Sequence, residues 1–314
     1  MNRKAIIFGL KGYKVTKSEK KLFKKFKPWG IILFSRNIYN IIQLRNLINE
    51  IKFIFKDKNY PILIDQEGGK VNRVNSILNL NLFPQKCFGD LYATDKDFNT
   101  KFDLYISKVS KLLNAIGVNF NTSPVLDINY PSAHSVIGNR SFSSKPKIVS
   151  ILGNKLINLY EKNNIFCIAK HMPGHGLSKV DSHFKTPVIK RKSELLFKND
   201  FYPFKKTLAS FAMTAHIIYR EFDSKNTVTH SKIMINNIIR KKLNFKGTLI
   251  SDDISMKSLK FSLKENAFKA YDSGCNLLLH CNANIRETEF LCKLAPNIDK
   301  NTLKNTTKVY RNLG

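Results

Sequence analysis

Titratable and nucleophilic side chains in this sequence gather at the ends of short apolar runs. Asp65 follows PILI, Lys170 and His171 follow IFCIA, and His216 follows FAMTA. Asp252 and Asp253 follow TLIS, and His280, Cys281 and Asn282 follow NLLL. One such residue is an ordinary loop charge. Five apolar runs that all end this way point to an active site gathered on one rim. Three loops add to it. DQEGGKVNRV (65–74) sets Asp65, Glu67 and Arg73 around a Gly68-Gly69 turn. The segment from PVLDI (124–128) to GNRSF (138–142) carries Arg140 as its only arginine. KHMPGHGLSKVDSHFKTP (170–187) holds three histidines and Asp181, with Pro173, Gly174 and Gly176 breaking any helix.

This last loop supports two chemistries. His171, His175, Asp181 and His183 are ligand-type side chains, so a zinc or iron hydrolase is one reading. Against it, the spacing H-x3-H-x5-D-x-H in a Gly-Pro loop matches no helical ligand pair such as HExxH. The other reading is acid–base. In Asp181-Ser182-His183 the carboxylate accepts from one imidazole nitrogen and leaves the other free to move a proton. Gly174 and Gly176 beside His175 further suggest a segment with few packed side chains, able to open and close over a ligand.

The elements that must hold these residues repeat along the chain. The strand candidates are 5–10, 30–34, 61–65, 117–121, 165–169, 211–215, 247–251 and 276–280. They are continuously apolar, as parallel strands covered on both faces are. Helical patterns lie between several of them. Asn40 can cap a helix with Ile41, Leu44, Leu47, Ile48, Ile51 and Phe55 on one face. Ser231 can cap another, with Ile235, Ile238, Ile239 and Leu243 inward, and Ile148, Ile151, Leu152, Leu156 and Leu159 mark a third. Eight strands alternating with helices over 314 residues predict an α/β protein, a single (β/α)8 TIM-type barrel spanning 1–314. The competing open, doubly wound sheet would more often carry a glycine-rich nucleotide loop, and no GxGxxG or GxxxxGK[ST] occurs.

Composition removes several other classes. The chain is 43% hydrophobic and 24% charged, too apolar for a disordered protein. No apolar run nears the ~20 residues of a membrane span, and AIIFGL near the N-terminus is too short for a signal-peptide core. A cytoplasmic protein with no membrane partner is expected. Five cysteines without CxxC spacing read as small apolar residues, neither a disulfide frame nor a structural zinc site. The net charge of +30 raises nucleic-acid binding. Yet 43 of the 53 basic residues are Lys, and Ile and Asn each occur 33 times, a compositional bias of the whole chain. Arginine, which makes bidentate phosphate and base contacts, is not enriched. Apart from a run at Lys17, Lys20, Lys21, Lys24, Lys25 and Lys27, the lysines are scattered, so no nucleic-acid partner is expected.

At the residues named above the sequence resembles the single-domain bacterial β-N-acetylhexosaminidases of glycoside hydrolase family 3. The resemblance rests on LFSRN (33–37), DQEGGKVNR (65–73), NTSPVLDI (121–128), IGNRSF (137–142), KHMPGHG with DSH (170–183), MTAH (213–216), FKGTLISDDISM (245–256) and SGCNLLLHCN (273–282). Three positions depart from the family pattern: Met172 where Phe is usual, Lys70 where Arg is common, and Ser123 where a small apolar residue is common. None is catalytic, so substrate affinity is where an effect is expected.

The resemblance implies a retaining exo-β-N-acetylglucosaminidase acting on terminal GlcNAc of GlcNAc-anhydro-MurNAc muropeptides in peptidoglycan recycling. It implies Asp252 as nucleophile, His183 as acid/base and Asp181 as its partner. Asp65, Arg73, Arg140, Lys170 and His171 are implied as sugar contacts, with His216 and Met256 lining the pocket. Neither metal nor organic cofactor is implied, and a monomer is expected. Strand alternation independently favours Asp252 over Asp253, because only one of two adjacent side chains projects over the barrel mouth. With Ile250 inside the barrel, that one is Asp252, and Asp253 turns toward the helices or the next loop, where it can cap a helix around Met256.

Overall fold

A computed structural model describes residues 2–314. Ten strands form: β1 (Lys4–Gly9), β2 (Pro28–Leu33), β3 (Ile62–Ile64), β4 (Phe120–Asn121), β5 (Phe166–Met172), β6 (Val188–Ile189), β7 (Phe211–Thr214), β8 (Ile218–Tyr219), β9 (Thr248–Asp253) and β10 (Leu277–His280). Eight of them close a parallel barrel in the order β1-β2-β3-β4-β5-β7-β9-β10, with β10 pairing back onto β1. β6 and β8 pair as a short ribbon outside it. The chain is a (β/α)8 barrel, and its eight strands are the eight apolar runs of the sequence.

Two of those strands run further than their apolar residues. β5 continues to Met172, so Lys170 and His171 lie within the strand and not after it. β9 likewise carries Asp252 and Asp253. Both extensions place polar side chains at the C-terminal barrel mouth, where water or a ligand can satisfy them.

Alternation divides the apolar residues into two layers. Ile7, Trp29, Ile32, Leu63, Phe120, Phe166, Ile168, Phe211, Met213, Ile250, Leu277 and Leu279 fill the interior. Ile6, Phe8, Ile31, Ile62, Ala212, Leu249 and Leu278 face the helices. Trp29 packs on Phe120 and Phe211 at centroid distances of 5.3 and 5.8 Å and donates from Nε1 to Thr306 Oγ1 at 2.9 Å. The C-terminal helix Lys300–Leu313 thus plugs the end opposite the polar mouth.

The helices follow their caps. Asn40 accepts from the Gln43 amide at 2.8 Å and starts Ile41–Phe55, which buries Leu44, Leu47, Ile48 and Ile51 while Ile41 is exposed. Ser231 accepts from Met234 N at 3.1 Å ahead of Ile233–Lys242, which buries Ile235, Ile238 and Ile239 but winds as a π-helix. Helix Pro146–Lys162 buries Leu152 and Leu156 and packs Ile148 and Leu159 against the core as expected, with Ile151 the exception. Val149, Leu152, Leu156, Ile157 and Tyr160 go inward, and Ile151 is 50% exposed. The cause is Gly153, where a Cβ would lie 2.3 Å from Leu126 Cδ2, so contact there turns Ile151 outward. Among the described residues no helix is long and apolar enough to cross a membrane.

Candidate active site

The C-terminal ends of β3, β5 and β9 open into a cavity of about 250 Å³. That volume lies just below the range of about 300–1,000 Å³ typical of ligand pockets. Asp65, Arg73, Arg140, Lys170, His171, His183 and Asp252 line it, together with Asp253, His175, Met213, Met256 and Cys281.

One wall is an ion-pair lattice. The Lys170 ammonium contacts the Asp65 carboxylate and lies 2.5 Å from Glu67 Oε1. Arg140 clamps Glu67 through two bonds of 2.7 and 2.8 Å, and Arg73 donates to Asp65 Oδ2 at 2.7 Å. Thr122 Oγ1 donates to Asp65 at 2.7 Å. Burial alone would raise the Asp65 carboxyl, but Lys170 and Arg73 hold it well below the ordinary carboxylate range. Glu67 is pulled down against burial by Arg140 and Lys170. The wall therefore presents fixed charges at neutral pH.

A second group is built on Asp127. Its buried carboxylate accepts from His171 Nδ1 at 2.7 Å and from the His175 amide at 2.6 Å. His175 Nε2 in turn meets Ser182 Oγ at 2.8 Å. Burial, reinforced by His171, lowers the His175 imidazole to about 4, so it is neutral at pH 7. Ser182 thereby ties the Asp181-His183 turn to the floor of the loop.

At that turn Asp181 Oδ1 accepts from His183 Nδ1 at 2.7 Å and from the His183 amide at 2.8 Å. This leaves Nε2 as the imidazole's other nitrogen, on a side chain that is 58% exposed. Burial would raise the Asp181 carboxyl, but these bonds from His183 hold it low. An imidazole oriented by a carboxylate is an acid/base pair.

Across the cavity Asp252 and Asp253 diverge. Asp252 Oδ1 accepts the Asp253 amide at 2.8 Å. Burial pushes its carboxyl up, and His216, His171 and that amide bring it below the ordinary value, so it is ionised at neutral pH. Asp253 is otherwise engaged. Its carboxylate accepts from Ser255 N and Oγ at 3.0 and 2.8 Å and from Cys281 N at 3.2 Å, bracing the turn beyond β9. That turn is short and non-helical through Met256. His216 lies behind the pair, bonded to Thr229 Oγ1 at 2.8 Å and Asp253 O at 3.0 Å.

Residues 4–311 match one family model, the glycosyl hydrolase family 3 N terminal domain. The chain belongs to this family. The beta-hexosaminidase of Haemophilus influenzae is 32% identical over 284 residues, 88% of this chain and 79% of that protein. That of Psychromonas ingrahamii is 33% identical over 286 residues, 88% of this chain and 82% of that protein. Among solved structures, NagZ from Neisseria gonorrhoeae in complex with N-trifluoroacetyl-D-glucosamine superposes with a TM-score of 0.85. It is 29% identical, and the match covers 98% of this chain and 90% of that one. The protein is a glycoside hydrolase of the beta-hexosaminidase type.

Family membership sets the departures in context. Met172 is fully buried in the layer between strands and helices, and Ser123 is buried beside Pro124; neither touches the cavity directly. Lys70 donates to Ser135 O at 2.6 Å and so ties the 65–74 loop to the segment before Arg140. The histidines of the 170–187 loop do not converge as ligands. His171 turns to Asp127, His175 to Ser182 and His183 to Asp181. Among the described residues no three His, Cys, Asp or Glu side chains form a metal-binding group.

Two strand-end residues leave the site, since His216 lies behind it and His280 points toward the helices with Leu278. The residue missed was Asp127. Its signal was a carboxylate inside the apolar string VLDI, which a buried chain admits only with partners.

Proposed function

We propose that the protein is a retaining exo-β-N-acetylglucosaminidase that removes terminal β-linked GlcNAc through a covalent glycosyl-enzyme. The observation that carries this is the division of labour around one cavity. An ionised Asp252 faces it, a carboxylate-oriented His183 stands at its rim, and Asp253 is consumed by the neighbouring turn. His183 gives its Nε2 proton to the glycosidic oxygen while an Asp252 oxygen bonds the anomeric carbon and the leaving alcohol departs. His183, now neutral, takes a proton from water; the water oxygen bonds the anomeric carbon and Asp252 leaves as carboxylate. An imidazole oriented by a carboxylate can give a proton in the first step and take one in the second.

Asp65, Arg73, Arg140, Lys170 and His171 act as sugar contacts, with their fixed charges aimed at hydroxyls and the acetamide. A cavity for about one sugar ring, walled by the ion-pair lattice, fits exo action. The beta-hexosaminidase relatives and a neighbour holding an N-acylated glucosamine support GlcNAc at this position. By the same family relation the natural substrate is a GlcNAc-anhydro-MurNAc muropeptide of cytoplasmic peptidoglycan recycling. Residues 1–314 act as one catalytic barrel, as a monomer, without metal or cofactor.

The test is release of p-nitrophenol from its β-GlcNAc glycoside, with the β-glucoside as control and EDTA in a parallel arm. NMR of the first-formed product must show the β-anomer. An α-product, equal rates on the glucoside, or loss of rate in EDTA would each refute the reading.

A further inference from the structure

His280 ends β10, is 0% exposed, and neither ring nitrogen has a hydrogen-bond partner. A buried imidazole left so costs stability unless something uses it. The polar atoms beside it belong to two carboxylates. Glu287 Oε2, on helix Ile285–Leu294, lies 3.4 Å from Nε2, and Asp253 Oδ1, on β9, lies 4.0 Å from Nδ1. Glu287 is itself held by Asn282 Nδ2 at 2.7 Å and Asn284 Nδ2 at 3.0 Å.

Asp253 is the hub behind Asp252. Its amide donates to Asp252 Oδ1, its carbonyl accepts from His216, and its carboxylate braces the turn and Cys281. A neutral imidazole between two carboxylates satisfies one and turns a lone pair to the other. An imidazolium can donate to both once each contact closes to hydrogen-bond distance. The geometry points to His280 as a positioning residue: a proton-carrying bridge from Glu287 to Asp253 that fixes Asp253, whose main chain then fixes the Asp252 carboxylate. Burial draws the imidazole below its ordinary value and the two carboxylates, the charged groups that face it, oppose this. The bridge is therefore complete on the acid side and is lost as pH rises. The inference rests on Asp252 as the attacking group.

The experiment is kcat and KM against pH on the p-nitrophenyl β-GlcNAc glycoside for wild type, His280→Val, His280→Gln, Glu287→Gln and Asp252→Ala, with melting curves. His280→Val should lower kcat five- to tenfold at pH 5.5, less at pH 8, with KM within twofold. His280→Gln keeps an N–H donor without titrating, so it should recover at least half of kcat with a flatter profile. Glu287→Gln removes one opposing carboxylate and should shift the wild-type profile toward lower pH. If His280→Val fails to fold, the last two variants carry the test. Wild-type kcat in His280→Val at every pH, equal losses in Val and Gln variants, or an unmoved profile in Glu287→Gln would each overturn the bridge. Asp252→Ala with full turnover would overturn it together with the assignment of the nucleophile. Loss of turnover in Asp252→Ala beside an unaffected His280→Val would sink the bridge alone.

Discussion

At the scale of single residues, adjacent carboxylates illustrate how environment assigns roles. Both line the cavity, but Asp252 accepts only the Asp253 amide, whereas Asp253 accepts three donors from Ser255 and Cys281. Asp252→Ala should abolish turnover and lower the melting temperature only modestly, by the stability that its low-held carboxylate contributes at neutral pH. Asp253→Ala strands two backbone donors, each costing about 1–3 kcal/mol, and should lower the melting temperature while losing no more than about tenfold in kcat. Trapping with a 2-fluoro or 5-fluoro GlcNAc-type inactivator and peptide mapping separates them: a label on Asp253 would reverse the assignment. The dyad predicts a second outcome. Asp181→Asn should fold normally yet lose ~10² to 10⁴ in kcat, the worth of general acid–base assistance, with the larger loss on poor leaving groups. An unchanged rate on a natural disaccharide would remove the DSH turn from the chemistry. These residues were legible because they end apolar runs or repeat a family motif. Asp127 was not: its place inside VLDI is its one local mark, and its partners, His171 and His175, lie more than forty positions away.

At the scale of elements, the barrel strands were legible because a strand covered on both faces must be apolar throughout. Their C-terminal ends were not, because β5 and β9 continue into polar residues that pair only in the closed barrel. Periodicity found the face of helix Pro146–Lys162 but missed one residue, Ile151, which lies opposite the close approach of Gly153 to Leu126. The 170–187 loop corrects another expectation. Pro173, Gly174, His175 and Gly176 are all buried, so this half is packed, and only 183–185 is an exposed run. Glycine is needed here for close approach, since a Cβ on Gly176 would sit 2.1 Å from Ile128 O. Gly176→Ala must push the loop away from Ile128 and carry Ser182 and His183 with it. A displacement near 1 Å in a catalytic group costs about 10²-fold. The variant should therefore lose about that much kcat while retaining its fold by circular dichroism; a wild-type kcat would show that loop packing does not position His183. Hydrogen exchange with and without inhibitor should differ only across 179–185.

At the scale of the molecule, stability against pH is set by buried groups pulling in opposite directions. His175 and His230 are lowered by burial to about 4, so the unfolded chain takes up their protons first and stability falls from about pH 6.5 toward pH 4. Asp65, Glu67, Asp127 and Asp252 are held low, so their contribution is present above the ordinary carboxylate range and disappears below it. Asp200 runs the other way. It is buried beneath the catalytic loop, with Tyr130 Oη donating to Oδ2 at 3.2 Å and Oδ1 without a partner. Burial raises its carboxyl to about 7. The folded state then binds this proton more tightly than the unfolded state, so Asp200 favours folding at low pH. That advantage is lost as pH climbs through 7. At 1.36 kcal/mol per unit, the cost of its charge is at most about 4 kcal/mol and is reached only above pH 7. Asn is a permanently neutral counterpart that still accepts from Tyr130. Asp200→Asn should therefore raise stability by a few kcal/mol at pH 8.5 and by almost nothing at pH 4, so that its total loss between those two values exceeds that of wild type. Urea midpoints at the two pH values measure this directly. A gain that is equal at both, or larger at pH 4, would mean that Asp200 is ionised throughout, and that another group offsets the buried histidines on the acid side.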